Sequence, residues 1–310
     1  MRMVATLRVR RCFKLKKIVI LGAGGFIGRY LLTTFSKNVQ GQIIGNTSAE
    51  CDLLYPDSVM SGLSEVTEED VIVMVSGITR LTADSYDSMI KNIQMAENLC
   101  NFLNEKPVSQ VVFLSTVEVY GNVPEDVIIT ETLLPNPNNY YAISKLVSEY
   151  LLRGLSSRKE IPLTVLRLPG VYGHGDYGKS VIDTMVTSAQ LNGKIIVYDG
   201  GSAKRDFVYI DDLAKLIAEA ILCKADVTVN VASGESHSIL EIARMIASRM
   251  GESISIEVVP DGCSYNNRPK YIGFDMTFLR ARFPGIIFTG IKSGIEKYLM
   301  DKGVMGRRRP

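Results

Sequence analysis

Long apolar runs, paired cysteines and clustered histidines are all missing from this 310-residue chain, and each absence removes a class of function. No stretch of 18 or more uncharged apolar residues occurs, so a membrane-spanning helix is not expected. The five cysteines (Cys12, Cys51, Cys100, Cys223, Cys263) are scattered without a Cys-x-x-Cys pair, which fits buried or incidental thiols in a reducing cytoplasm. The two histidines, His174 and His237, lie far apart without metal-ligand neighbours, so no zinc site is expected. Internal repeats and low-complexity segments are also missing. What is present, 46% apolar residues, suffices for one large domain or two modest ones.

The net charge of +2 conceals an uneven distribution. Residues 1–17 carry seven Lys/Arg (Arg2, Arg8, Arg10, Arg11, Lys14, Lys16, Lys17) and no acid, and Arg307, Arg308 and Arg309 add three more. Without those ten the balance is −8, which argues against a nucleic-acid-binding body. The tyrosines show no pairing with basic residues of the kind that stacks single-stranded bases. The basic start lacks the apolar segment of a secretory signal. It reads as a disordered extension or a misplaced start codon, with a targeting peptide or an anionic-surface anchor as the other possibility.

Strand-like runs occur at Lys17–Leu21, Gln42–Ile44, Val71–Val75, Val111–Leu114 and Leu163–Leu168. Helical periodicity fills Phe26–Ser36, Asp87–Leu103 and Tyr140–Leu155. Continuous apolar strands alternating with helices predict a parallel sheet covered on both faces. After Leu168 the texture changes: Pro169, Gly170, Gly173, Gly175 and Gly178 cluster, and short elements follow.

Gly22, Gly25 and Gly28 lie between the first strand and the first helix. Glycines there permit a tight turn, let the backbone approach a pyrophosphate and aim the helix N-terminus at it. The second strand ends Ile43-Ile-Gly-Asn46-Thr-Ser48, without the Asp or Glu that takes an adenine ribose hydroxyl. Asn46, Thr47 and Ser48 can instead donate to a 2′-phosphate, with Arg29 as a further candidate, so NADP is favoured weakly over NAD. Asp52 either contacts adenine or caps a turn. Only five residues separate it from Asn46, leaving little room for a helix between them.

Tyr141 and Lys145 stand one helical turn apart in Tyr140-Tyr-Ala-Ile-Ser-Lys145, so both can face one pocket. A lysine ammonium there favours the phenolate and makes the tyrosine a proton donor and acceptor near neutral pH. Upstream, Leu114-Ser-Thr-Val-Glu-Val-Tyr-Gly121 delivers Ser115 and Thr116 at a strand end, where a hydroxyl faces a cofactor crevice. Glu118, two residues on, either lies on the same strand face as a second base or is an ordinary loop acid. Asp211-Asp212 reads as capping the helix that follows. The apolar stripes of Asp84–Leu103 and of the helix from Tyr140 fit core packing, or a four-helix dimer interface across a two-fold.

From about Lys17 to about Leu299 the chain resembles the extended short-chain dehydrogenase/reductase family of NAD-dependent, nucleotide-sugar-modifying epimerases, dehydratases and reductases. The resemblance rests on the glycine motif (Gly22, Gly25, Phe26, Ile27, Gly28), Asn92, Leu114–Gly121, Glu131 and Pro137–Lys145, and the short link from Asn46 to Asp52-Leu53 is similar to that of the reductase branch. Further along it rests on Arg167–Gly173, Arg205-Asp-Phe-Val-Tyr-Ile-Asp-Asp212 and Asn230–Gly234. It implies an α/β fold: a Rossmann-like doubly wound parallel sheet, residues 17–169 plus about 206–232, binding NAD(P). A smaller C-terminal α/β lobe, about 170–205 and 233–303, would bind substrate, with residues 1–16 and 304–310 as basic extensions. The scattered cysteines point to the cytoplasm, and the resemblance implies a homodimer acting on a nucleotide sugar. Tyr141 is the acid/base, Lys145 lowers its pKa and holds the nicotinamide ribose, and Thr116 polarises the sugar oxygen. Arg205 and Arg268 meet the diphosphate. Departures occur as well. Gly170 stands where relatives often carry asparagine, and Ser76-Gly-Ile-Thr-Arg80 replaces an Ala-Ala pair, which brings Arg80 to substrate, to cofactor or to the crevice rim. Valine stands between Thr116 and Glu118 where many dehydratases have aspartate. A 4-ketoreductase or 4-epimerase is the leading expectation; a 4,6-dehydratase using Glu118, or a non-catalytic dinucleotide sensor, are the alternatives.

Overall fold

A computed structural model describes residues 17–124, 127–178, 180–251, 253–260 and 273–305. Its centre is a sheet of six parallel strands: β1 (Lys17–Leu21), β2 (Gln42–Asn46), β3 (Val71–Met74), β4 (Gln110–Thr116), β5 (Leu163–Leu168) and β6 (Val227–Asn230), in the order β6-β5-β4-β3-β1-β2. Every residue of β3, β4 and β5 is buried, as strands covered on both faces require. Helices α1 (Phe26–Asn38) and α6 (Ile210–Leu222) bury Leu31, Phe35, Leu213 and Ile217 against one face. On the other face lie α2 (Pro56–Gly62), α3 (Tyr86–Glu105) and α4 (Tyr140–Lys159), with Val59, Leu99, Phe102 and Leu152 in that core.

A third apolar core lies outside the sheet. It joins α5 (Val181–Asn192), α7 (Ile239–Met250) and α9 (Ile291–Asp301) to parallel pairs of short strands, Gly170–Tyr172 with Phe207–Tyr209 and Lys194–Val197 with Ser255–Val258. The Tyr172 ring sits edge-on to Phe207, Tyr209 and Tyr298 at centroid distances of 6.4, 5.5 and 6.4 Å. Helix α8 (Thr277–Arg282) returns to the sheet side through Leu279.

The strands extend past the expected runs: β2 reaches Asn46 and β4 reaches Thr116. No helix forms between Asn46 and Asp52; α2 starts at Pro56, whose fixed φ and missing N–H suit a first turn. The expectation that Asp211 and Asp212 cap α6 is corrected. Both lie in its first turn, but Asp211 accepts the Tyr30 hydroxyl, and Asp212 accepts the Thr289 amide (2.5 Å) and pairs with Lys215 (3.2 Å). They fasten α6 to α1 and to the loop before α9. Cys51, Cys100 and Cys223 are free thiols, while Cys12 and Cys263 lie outside the described residues.

Candidate active site

Strand order reverses between β1 and β3, and the loops after those strands meet at that switch point. Gly22, at φ +93°, lies so close to the loop after β3 that a Cβ would come within 2.8 Å of the Ser76 nitrogen. A Cβ on Gly28 would overlap the Gly22 carbonyl, so this glycine lets α1 close onto the turn. Gly25 differs: its Cβ would touch protein only at 3.5 Å, because it faces outward as the N-cap of α1. No side chain caps α1, whereas Ser85, Asn139, Ser180 and Ser238 cap α3, α4, α5 and α7. The first turn of α1, with Phe26, Ile27 and Gly28, thus presents backbone amides and the positive dipole end to an anion. These residues fit a dinucleotide pyrophosphate.

The adenosine end is organised differently from the sequence expectation. The Asn46 carbonyl accepts the Gly22 and Ala23 amides (2.9 and 3.0 Å), and its buried side chain donates to Gly62 (3.3 Å). Glu50 folds back so that its carboxylate accepts the Thr47 amide (2.8 Å) and hydroxyl. Thr47 in turn lies 3.5 Å from where a Gly24 Cβ would be. A carboxylate therefore does stand beside the end of β2, and the premise that no acid is present there fails. Arg29 donates through Nε to the Gly24 carbonyl (2.8 Å), which holds its side chain over the turn. Asp52 accepts the Leu54 amide (3.0 Å) in a local turn, and Leu53 is buried in the core beneath α3.

At the end of β4, the Thr116 hydroxyl accepts the Glu118 amide (3.2 Å) and so starts a 3-10 turn over Val117–Tyr120. Strand alternation stops there, which removes the argument that placed Glu118 on the Thr116 face. Glu118 is instead held by Asn139, which donates at 2.9 Å, and by Arg80, at 3.5 Å. The Ser115 hydroxyl donates to Glu149 deep in the protein, leaving only its backbone toward the crevice. Three residues to which the sequence assigns no role, two of them within the motifs that carry the resemblance, set the frame. Asn139 caps α4 through the Ala142 amide (2.8 Å), and Asp84 accepts the Tyr141 amide (3.0 Å). Buried Asn92 clamps Ile78 through both its amide and carbonyl (2.7 and 3.0 Å) and donates to Ser144 (3.1 Å), tying the loop after β3 to α4. The Asn before a helix was readable as a cap; the other two contacts span 57 and 14 residues and leave no local signal.

Lys145 is buried and donates to the Leu114 carbonyl (2.8 Å) and, at 3.5 Å, to that of Ser76; its ammonium lies 6.0 Å from the Tyr141 ring centroid. Burial lowers its pKa to about 8. The Tyr141 phenol is pushed up instead, by burial first and by the Glu118 carboxylate second. Burial and Glu118 are what move this phenol, while the Lys145 ammonium is turned toward the Leu114 and Ser76 carbonyls.

On the lobe side, half-buried Arg205 donates to the Lys204 carbonyl (2.8 Å) from a short strand paired with His237–Ser238. Arg268 lies outside the described residues. A Cβ on Gly170 would meet the Phe207 ring at 2.7 Å, which explains glycine there: the aromatic ring fills the space a side chain would take.

A family model, the NAD dependent epimerase/dehydratase family, matches residues 18–232. The chain belongs to that family and is an enzyme of its nucleotide-sugar-modifying kind. The GDP-6-deoxy-D-talose 4-dehydrogenase of Aggregatibacter actinomycetemcomitans is 26% identical over 292 residues, 92% of this chain and 98% of the relative. Among solved structures, UDP-glucuronic acid 4-epimerase from Bacillus cereus, in complex with UDP-glucuronic acid and NAD, superposes with a TM-score of 0.78 at 22% identity. The match covers 93% of this chain and 99% of that one. RMD from Pseudomonas aeruginosa, complexed with NADPH, gives 0.78 at 22% identity over 92% and 98%. These two establish the Rossmann-like fold. No described helix is long and apolar enough to cross a membrane.

Proposed function

We propose that this protein interconverts a 4-keto and a 4-hydroxy sugar on a nucleoside diphosphate, using NAD(P) held by the turn from Gly22 to Gly28. The observation that carries this reading is the seating of Lys145 on the Leu114 and Ser76 carbonyls, with the Tyr141 ring 6.0 Å from its ammonium and Thr116 closing β4 two residues beyond Leu114. When bound, the nicotinamide supplies or takes the hydride at sugar C4. Thr116 positions the C4 oxygen, and Tyr141 exchanges its proton. In the reducing direction the phenol donates its proton to the C4 oxygen, and in the oxidising direction it takes that proton back. The 4-dehydrogenase activity named for the Aggregatibacter relative fits the same bond change. Glu118 supports this choice over dehydration. Its carboxylate is engaged by Asn139 and Arg80 rather than free to draw a proton from a sugar carbon. Arg205, with Arg268, is assigned to the diphosphate.

Cofactor choice stays with either dinucleotide, since Glu50 beside β2 removes the main reason for preferring NADP. For assembly we favour a homodimer through α3 and α4, where Tyr86, Ile90 and Tyr150 are 65%, 42% and 68% exposed. The decisive experiment gives purified protein NADH or NADPH with a 4-keto GDP-sugar, followed by UDP, dTDP and CDP analogues, and records oxidation of the dinucleotide. Tyr141→Phe should lower kcat by about 100-fold or more without lowering Tm. Undiminished turnover in that variant would sink the assignment. Dehydration of a 4-hydroxy sugar nucleotide by the wild type would replace it with the dehydratase reading.

A further inference from the structure

Behind the candidate site lies a buried polar network that the proposed chemistry does not use. Arg167, on β5, grips Glu149 of α4 through Nε (3.1 and 3.2 Å) and Nη2 (2.6 Å), and its Nη1 donates to the Tyr120 hydroxyl (2.8 Å). Tyr120 donates onward to Asn230 at the end of β6 (2.8 Å), whose backbone amide donates to Glu131 (2.8 Å). Glu149 also accepts the Ser115 hydroxyl. Glu149 and Arg167 are each 7% exposed, so this ion pair is held out of water.

Its position relative to Lys145 is specific. Glu149 follows Lys145 by four residues on α4, one turn along the same face. Both head groups land on one dipeptide of β4: Lys145 on the Leu114 carbonyl, Glu149 on the Ser115 hydroxyl. The other groups around Lys145 are Tyr141 from α4, the Phe113 ring 4.7 Å away, and the Ser76 carbonyl from the loop after β3. Asn92 of α3 is neutral, Arg167 stands behind Glu149, and Glu118 lies toward Tyr141.

We infer that Glu149 is a positioning residue for the Tyr141–Lys145 pair: its carboxylate is the buried counter-charge that keeps Lys145 an ammonium seated against β4. The inference rests on the assignment of Lys145 to the dinucleotide site. Burial alone draws Lys145 down, and Glu149 opposes that fall. Removing it takes away a charge interaction in a water-poor setting, where such interactions count most.

The test is the titration of Lys145 itself, read by NMR on the whole chain labelled with carbon-13 at lysine Cε and assigned by its loss in Lys145→Met. Wild type should titrate near 8. In Glu149→Gln the midpoint should fall by about one unit or more, a roughly tenfold loss of ammonium at a given pH, and Glu149→Asp should restore most of it. An unchanged midpoint in folded Glu149→Gln overturns the inference; because a bared Arg167 would lower the midpoint by itself, a fall counts only when the neutral pair Glu149→Gln with Arg167→Gln shows one too. Should the variant not fold because Arg167 is left uncompensated, the neutral pair Glu149→Gln with Arg167→Gln replaces it. The midpoint should fall there too; one that stays or rises overturns the inference. The titration needs no turnover, so its outcome is separate from that of Tyr141→Phe.

Discussion

The sheet half and the C-terminal lobe both bury polar groups, and they use them in different places. Across β3, β4 and β5 every side chain is buried, and the two cores flanking them are apolar. The lobe has an apolar core too, but buried acids bind its pieces. Asp183, 1% exposed, receives the Tyr298 hydroxyl, the Lys302 ammonium and the Gly178 amide. Asp206, 2% exposed, takes the Ser233 amide (2.9 Å), its hydroxyl (2.8 Å) and the Gly234 amide (2.8 Å). Apolar burial is indifferent to pH and to small shifts of position, whereas a buried carboxylate needs each of its donors in place. In the half assigned to the cofactor, the buried pair of Arg167 with Glu149 ties β5 to α4 within the layers of the sheet itself. The half assigned to the substrate is joined by contacts whose partners are individually specified.

The sharpest way to break that contrast is Asp183→Ala. It leaves Lys302 without its carboxylate and Tyr298 with only the Asp176 carbonyl (3.2 Å), and should cost about 3–5 kcal/mol. Hydrogen exchange should show α5 and α9 opening while β3 and β4 stay protected; uniform loss across both halves would show that they do not differ in this way. A smaller effect is expected from Asp206. Burial raises its pKa to about 6 despite three donors, so the folded state binds a proton more tightly than the unfolded chain. Its contribution therefore favours folding at low pH and is lost as pH rises from about 4 to about 6, by roughly 2–3 kcal/mol. Urea unfolding across that range should show the slope in wild type and a flatter one in Asp206→Asn. The smallest effect belongs to Arg80→Ala. Its pairing with Glu118 is partly exposed, so stability should change by less than about 1 kcal/mol while the KM for the sugar nucleotide rises. A large fall in Tm would instead make Arg80 part of the scaffold.

The same contrast governs what the sequence could reveal. β1 and β5 are read from the sequence with their observed ends, because each is a short run rich in apolar residues cut off by glycine or proline. The glycine turn is equally readable, since its spacing serves a local geometry. Glu50 escaped notice because its carboxylate reaches back to Thr47 through a turn that no periodicity describes. Tertiary reach explains the rest. Glu118 meets Arg80 and Asn139 from loops 38 and 21 residues away, and the Lys145 ammonium prefers the Leu114 carbonyl to the nearby phenol. Residue types and order fix which groups arrive at the crevice; only packing fixes where each head group points.

The bare N-terminus of α1 has one more consequence. A helix whose opening turn has no side-chain cap is prone to fray, and an anion seated there would suppress the fraying. The amides of Phe26, Ile27 and Gly28 should then exchange with solvent at rates that track free dinucleotide concentration. Their protection would serve as an intrinsic gauge of cofactor loading, readable before any sugar is supplied.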